Sequence, residues 1–106
     1  MLERQIEQRL RIKIKAIGGL ALKFVSPGAV GVPDRIILLP DGRIYFVELK
    51  APGKKPSQKQ VKMAQTLASL GHPVKVIDSM EKVKEFINEI RLSWFDNIDK
   101  EEEVGK

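Results

Sequence analysis

Two short stretches, Gly31-Val32-Pro33-Asp34-Arg35 and Val47-Glu48-Leu49-Lys50, decide how this chain is expected to fold. The first leads into an apolar run over residues 35–39, and the second ends a run over residues 43–50. Pro40-Asp41-Gly42 lies between the two runs and is typical of a turn. The pattern therefore predicts two antiparallel strands, with an aspartate entering the first and a glutamate and a lysine closing the second.

The length of this turn decides whether the two acids meet. With a three-residue loop, Leu39 is opposite Arg43 and Asp34 is opposite Glu48. Their Cβ atoms would then lie about 4.5–5.5 Å apart on one face of the sheet. A two-residue turn would place the two acids on opposite faces. Glycine at the third loop position is compatible with the longer loop, which the chemistry below requires.

The rest of the chain reads as alternating helices and strands. We predict a first helix over 2–17, a strand over 20–25, a second helix capped by Ser57 and Gln60, a strand over 74–77 and a last helix starting at Ser79. This order predicts an α/β fold with a mixed central sheet flanked by helices. Trp94 and Phe95 are expected to fold back on the core after the last helix.

Bulk properties limit the function classes. The 106 residues correspond to one domain, which we place at residues 1–95, followed by an acidic tail over 96–106 that we expect to be disordered. The net charge is +5 overall and +8 without the tail, which favours a polyanionic partner. Cysteine is absent, which excludes thiolate metal sites. No apolar run suits a membrane span or a signal peptide, so a cytoplasmic protein is expected.

Asp34, Glu48 and Lys50 together suggest phosphodiester chemistry. Two carboxylates and the Leu49 carbonyl could hold a hard cation such as Mg²⁺, which prefers oxygen ligands. The ammonium of Lys50 could then steady an attacking water or an anionic transition state. A glutamate and a lysine two apart are common on exposed strands. Ile44 and Phe46, however, lie on the same strand face as Glu48 and Lys50, so we expect that face to be apolar and covered by a helix. Charged side chains are costly to bury on such a face, which favours a functional role for them.

Other polar residues have simple structural explanations. Glu3 and Glu7 fall in the first turns of a helix, where acids interact favourably with its dipole. Gln60 completes a capping box, and His72 lies in a Gly-His-Pro turn that ends a helix. Trp94 is expected to be a core residue.

At these two stretches the chain resembles the VRR-NUC family of the PD-(D/E)xK nuclease superfamily. The resemblance runs from about residue 2 to residue 90 and includes Gly19-Leu20-Ala21-Leu22-Lys23, Ser26-Pro27-Gly28 and Gly71-His72-Pro73-Val74. It implies a restriction-endonuclease-like αβββαβ core and an endonuclease dependent on Mg²⁺ or Mn²⁺. Its catalytic positions match Glu3 (with Glu7 as a substitute), Asp34, Glu48, Lys50 and Gln60, and its metal ligands match Asp34, Glu48 and Leu49.

The same resemblance suggests a partner. Stand-alone members of this size look like phage or bacterial proteins and are similar to Holliday-junction resolvases, which implies a homodimer on branched DNA. Leu92, Trp94 and Phe95 are candidates for the dimer interface. Expected contacts with DNA are Lys23, Ser26, Arg35, Lys54 and Lys55. The alternatives are a catalytically silent nucleic-acid-binding module and a protein-interaction domain with a solvated charged face.

Overall fold

A computed structural model of the chain describes the backbone of residues 1–104 and the side chains of residues 1–94. The elements appear in the predicted order: α1 Glu3–Ala16, β1 Leu20–Lys23, β2 Arg35–Leu38, β3 Ile44–Leu49, α2 Gln58–Ser69, β4 Val74–Ile77 and α3 Met80–Val104. In the described chain, no helix is long and apolar enough to cross a membrane.

The four strands form one mixed sheet in the order β1-β2-β3-β4. β1, β2 and β3 are antiparallel neighbours, and β4 lies parallel to β3 because α2 carries the chain back across the sheet. The α/β prediction is therefore confirmed.

The register between β2 and β3 is the one that a three-residue loop produces. Leu38 pairs with Ile44, and the Leu39 N–H donates to the Arg43 carbonyl at 3.0 Å. Gly42 has a φ of 90°, which glycine adopts without strain, and its N–H closes the turn onto Leu39. At the other end of the ladder, Arg35 pairs with Val47. One step further, Asp34 lies opposite Glu48.

The hydrophobic core lies on one side of the sheet, which we call the inner face. The apolar residues of α1 recur every four positions and therefore form one stripe against the strands. The buried apolar side chains of the described residues are Ile6, Leu10, Ile14, Ile37, Leu39, Val47, Leu49, Ile77, Val83, Phe86, Ile87 and Ile90. All of them come from α1, α3 and the inward positions of β2–β4 with the adjoining Leu39.

The opposite, outer face is only partly covered, which corrects the expectation of a helix over it. α2 lies beside β4 and encloses a cavity of about 300 Å³ against Glu48, Val74 and Val76. Toward β1 the face is open, and Leu22 and Ile44 expose 46% and 49% of their surface. The helix therefore covers the acidic end of the face and leaves the apolar end uncovered.

The C-terminal helix is longer than predicted. α3 continues to Val104, where the sequence predicts a disordered tail from residue 96. Trp94 is half-buried within α3 and lines a cavity with Ile17 and Leu39, so it reaches the core without the predicted fold-back. Leu92 is 69% exposed. The side chains of Phe95 and of the acidic tail lie outside the described residues, and the domain boundary at residue 95 stays a prediction.

Candidate active site

Asp34 is fixed at the entrance of β2 by its neighbours on both sides. Its carbonyl accepts a 2.8 Å hydrogen bond from the Phe24 N–H, which extends the β1–β2 ladder by one step. Its carboxylate Oδ2 accepts a 2.8 Å hydrogen bond from the Leu49 N–H, which comes from the end of β3. The side chain is therefore held across the gap between two strands rather than directed into solvent.

Glu48 is the one charged side chain in the buried part of the described chain, with only 3% of its surface exposed. Pro33 and Gly31 line the same cavity beside it, together with residues of α2. Its Oε1 atom is buried and has no hydrogen-bond partner among the described residues. Burying a polar atom without a partner normally lowers folding stability by about 1–3 kcal/mol. A buried, unpartnered oxygen at this position therefore indicates a ligand that comes from outside the protein.

The electrostatics around Glu48 agree with its geometry. Burial, a side-chain hydrogen bond with Asp34 and the charge of the Asp34 carboxylate together raise the pKa of its carboxyl group from 4.5 to about 8. The Lys50 ammonium opposes this shift, and Glu3 adds a smaller rise. In the metal-free protein at neutral pH, Glu48 therefore largely keeps its proton. A cation bound between the two acids would displace it.

Leu49 has the backbone direction required of a ligand. In an extended strand the N–H and C=O of one residue point to the same side. The Leu49 N–H points to Asp34, so its carbonyl lies on that side of β3 as well. Asp34 and Glu48 interact directly, and the Leu49 carbonyl lies on the Asp34 side of β3, while their joint role as metal ligands stays a prediction. Among the described residues no group of three or more His, Cys, Asp or Glu side chains could hold a metal ion.

The donor set fits Mg²⁺ or Mn²⁺ better than a softer ion. Two carboxylates and a carbonyl are hard oxygen ligands, and they leave coordination positions for water and phosphate. The unpartnered Oε1 of Glu48 is the observation that supports this fit.

The geometry separates Glu3 from Glu7, which the sequence leaves as alternatives. Glu7 forms an ion pair with the Arg35 guanidinium and a second one with Arg11 at 3.6 Å. Glu3 is exposed at the start of α1, and its charge reaches Glu48. Glu3 is therefore the acid of α1 whose charge acts on Glu48, and its catalytic role stays a prediction.

Arg35, which the sequence suggests as a contact with DNA, is held in structural contacts within the protein. Its guanidinium donates to the Ala21 carbonyl at 3.3 Å and to the Glu7 carboxylate. Only 14% of the side chain is exposed. Arg35 therefore connects α1 with β1 and β2, and the DNA-binding surface proposed below does not include it.

Gln60 lies beside Glu48 but is also engaged in capping. Both residues line the cavity under α2. The Gln60 Oε1 accepts from the Ser57 N–H at 2.9 Å, and the Ser57 Oγ accepts from the Gln60 N–H at 3.2 Å. The predicted capping box is confirmed, so the Gln60 oxygen is occupied and only its amide NH₂ group is available to a ligand in this state.

The remaining candidates surround the site. Lys54 and Lys55 are exposed on the loop between β3 and α2, Lys23 is exposed at the end of edge strand β1, and Ser26 is half-buried in the loop that follows. His72 is exposed and its ring packs edge-on against Phe46 at 5.7 Å, which agrees with a structural role.

Gly31 is a residue whose role the sequence does not reveal. Its φ is 81°, and a Cβ at this position would lie 2.5 Å from the Lys59 carbonyl oxygen and 3.0 Å from the Gln60 nitrogen. Only glycine permits this approach, which seats the loop before Asp34 against the first turn of α2. Glycine before Val-Pro-Asp signals a turn, but its contact with a helix 28 residues later depends on the tertiary fold.

Comparisons with known proteins show the family to which the chain belongs. The chain is 52% identical over 79 residues to a protein named "Putative nuclease p44" from Acyrthosiphon pisum secondary endosymbiont phage 1, covering 74% of this chain and 85% of that protein. A solved VRR_NUC domain superposes with a TM-score of 0.76 at 31% identity, covering 81% of this chain and 94% of that domain. No family model matches the sequence. With the fold, the identity and the coverage taken together, the chain belongs to the VRR_NUC nuclease family.

Proposed function

We propose that the protein is an endonuclease that hydrolyses DNA phosphodiester bonds with the help of Mg²⁺ or Mn²⁺. The observation that carries the proposal is the buried, unpartnered carboxyl oxygen of Glu48 beside the fixed carboxylate of Asp34. Two neighbouring carboxylates repel one another unless a proton or a cation lies between them. Asp34, Glu48 and the Leu49 carbonyl would hold the cation, which lowers the pKa of a bound water and polarises the phosphoryl oxygens.

The protein's own residues then have separate tasks. Lys50 follows Glu48 on the same strand face, so its ammonium can orient the attacking water or neutralise the pentacovalent phosphate as charge develops. Glu3 adds a carboxylate from α1 on the side of Glu48. The NH₂ group of Gln60 can donate a hydrogen bond to a phosphate oxygen from the other wall. Burial of Glu48 keeps bulk water from competing for these contacts.

The surface near the site suits a polyanion. Lys54 and Lys55 lie on the exposed loop that starts just after Lys50, and Lys23 lies at the end of the neighbouring edge strand. The main body of the chain carries +8 by sequence. We propose that these lysines and Ser26 bind the DNA backbone, with an affinity that falls steeply as salt rises.

We further propose branched DNA, such as a Holliday junction, as the substrate and a homodimer as the active form. One copy offers one active site, and paired incisions across a junction require two sites related by a twofold axis. The resemblance to Holliday-junction resolvases and the phage origin of the relative named as a nuclease support this proposal.

The experiment that tests this function compares cleavage and binding. Wild type, Asp34→Ala and Glu48→Ala are incubated with four-way junction, flap and linear duplex DNA in Mg²⁺ or in EDTA. We expect wild type to cut only with metal and to prefer the junction. Both variants should lose cleavage while they still shift DNA in a gel, because neither carboxylate belongs to the phosphate-binding surface. Near-normal turnover by Asp34→Ala would overturn the site.

A catalytically silent nucleic-acid-binding module is the alternative function. It would bind DNA through the same lysines and cut none of the three substrates in Mg²⁺ or Mn²⁺. The buried pair of acids speaks against it, because carboxylates weaken phosphate binding unless a cation lies between them and the DNA.

A further inference from the structure

A groove lies between α1 and α3, in the helix layer that covers the inner face of the sheet. Its volume is about 460 Å³. Met80 and the buried side chains of Val83 and Ile87 line its apolar part, and exposed polar side chains of both helices line the rest. We call it the α1–α3 groove. Glu48 and its cavity lie on the outer face, on the other side of the sheet.

The α1–α3 groove collects positive charge from both helices. Arg9 and Lys13 line it from α1, and Lys84 and Arg91 line it from α3. All four side chains are exposed, and none of them takes part in an ion pair among the described residues. Glu81 is the one acid that lines the groove. Four cations and one acid give it a formal charge of +3.

Neighbouring cations outside the groove are arranged differently. Arg11 forms an ion pair with Glu7 on α1, and Lys82 forms one with an aspartate one turn earlier at the start of α3. Arg9 and Lys13, by contrast, are four residues apart on α1 and therefore side by side, where like charges lower the stability of a helix. Unpaired cations that converge from two helices on one groove indicate an anionic ligand from outside the chain.

We propose that the α1–α3 groove binds the sugar–phosphate backbone of a second DNA segment, one that is not being cut. The rise of an α-helix places Arg9 and Lys13 about 6 Å apart along α1, and Lys84 and Arg91 about 10 Å apart along α3. One strand of DNA carries a phosphate about every 3.4 Å along its axis, so these rows span about two and three phosphates. Asn88 lies between the two cations of α3 and adds a hydrogen-bond donor for phosphate or sugar oxygens.

The position of the groove restricts which DNA can occupy it together with the active site of the same copy. The sheet and a layer of helices separate the groove from Glu48, and one helix alone is about 10–12 Å across. Linear duplex is stiff over such distances and cannot follow both surfaces. Branched DNA sends arms in different directions, so one arm can reach the groove while another is cut. This inference deepens the proposed function and rests on it for the cleavage reaction, and it assigns the preference for branched DNA to the α1–α3 groove.

The test removes two cations from the groove and, in a matched control, two cations from a neighbouring surface. The groove variant is Lys13→Gln with Lys84→Gln. The control is Lys75→Gln with Lys82→Gln, which lowers the net charge equally at two lysines that form ion pairs on β4 and α3. A third protein, Lys13→Arg with Lys84→Arg, keeps the charge of the groove.

Each protein is titrated onto a four-way junction and onto linear duplex in EDTA at several salt concentrations, so that binding is measured without cleavage. Cleavage of both substrates is then measured in Mg²⁺. Thermal melting followed by circular dichroism shows that each variant is folded.

We expect the groove variant to bind the junction at least about fivefold more weakly than the wild type, with a salt slope lower by about two, one for each lysine. Its kcat/KM on linear duplex should stay at the wild-type value, so its preference for the junction should fall. The control and the arginine variant should bind and cut like the wild type.

Unchanged junction binding by the groove variant would overturn the proposal, and so would an equal loss in the control. An equal loss of kcat/KM on duplex and junction would also overturn it, because the lysines would then contact the segment being cut. If the wild type binds the junction through the groove but cuts nothing, the groove is supported and the proposed function is refuted.

Discussion

Replacing Glu48 by glutamine should stabilise the metal-free protein at alkaline pH, although it removes a proposed metal ligand. The folded-state pKa of Glu48 is raised from 4.5 to about 8 by burial and by Asp34. A group with a raised pKa binds its proton more tightly in the folded state. Its contribution to stability is complete below pH 4.5, decreases as the pH rises and is lost above about pH 8. Glutamine cannot ionise, so the folding stability of the Glu48→Gln variant does not have this dependence on pH.

The magnitude follows from the width of that pH window. Each pH unit between the two pKa values corresponds to about 1.4 kcal/mol, so the full window amounts to at most about 5 kcal/mol. A small domain is stable by only about 5–15 kcal/mol, so the effect should be visible in a melting curve. The buried amide of Glu48→Gln costs about 1–3 kcal/mol at every pH. The experiment therefore compares the free energy of unfolding of the variant with that of the wild type, and asks how this difference changes with pH.

Urea unfolding in EDTA at pH 5 and pH 9 measures this difference. Between pH 5 and pH 9 we expect the free energy of unfolding to fall by several kcal/mol more in the wild type than in Glu48→Gln. This extra loss should be on the order of half of the 5 kcal/mol above, or more. Glu85→Gln is the control, because Glu85 is exposed, and it should follow the wild type. Parallel pH profiles for wild type and Glu48→Gln would refute the burial of an ionisable Glu48 and with it the reason for placing a cation there.

The same geometry leads to further expected outcomes. Titration of Mg²⁺ or Mn²⁺ near neutral pH should release close to one proton per site, because Glu48 binds the cation only after deprotonation, and the release should vanish at pH 9; calorimetry in buffers of different ionisation enthalpy measures it. Ca²⁺ should support DNA binding but little cleavage, since it positions and acidifies water less well; equal cleavage rates would contradict the metal chemistry. Lys50→Arg should lower turnover on the order of 10²-fold, because a planar guanidinium cannot replace a compact ammonium beside one water, and a mild loss in single-turnover assays would make Lys50 an outer phosphate contact. Gly31→Ala should lower turnover far more than Gly42→Ala, which introduces the same positive-φ strain with no atom within 4 Å of the new Cβ; equal losses would show that the contact with α2 is unimportant.

The local features of this fold were predictable because each depends on neighbours in sequence. The three-residue turn before Arg43 determines the register that brings Asp34 opposite Glu48. The Ser57–Gln60 capping box starts α2 at the expected turn. Since the site is assembled from the ends of two strands joined by that turn, predicting the hairpin was enough to predict the acidic pair.

Features that depend on tertiary contacts were not predictable in the same way. Arg35 lies next to Asp34 in sequence and so resembles a site residue. Strand alternation turns its side chain to the inner face, however, where the Glu7 carboxylate accepts a hydrogen bond from the guanidinium. Because Glu7 is paired with Arg35, Glu3 is the acid of α1 whose charge acts on Glu48. The sequence also predicts a helix over the outer face, but it does not predict beside which strand the helix lies. That position depends on the contact between the loop at Gly31 and α2.

The outer face breaks two rules of folding at once, and both exceptions point to ligands. One carboxyl oxygen of Glu48, Oε1, is buried without a hydrogen-bond partner, and the hydrophobic side chains of Leu22 and Ile44 are left in water. Each lowers the stability of an isolated, metal-free chain, and each would be relieved by a group that binds only the folded form. A cation would relieve the first, and a second copy of the chain would relieve the second. Glu48, Leu22 and Ile44 lie on one face of the sheet, so the features that cost the fold stability are the ones that the proposed nuclease and homodimer would use.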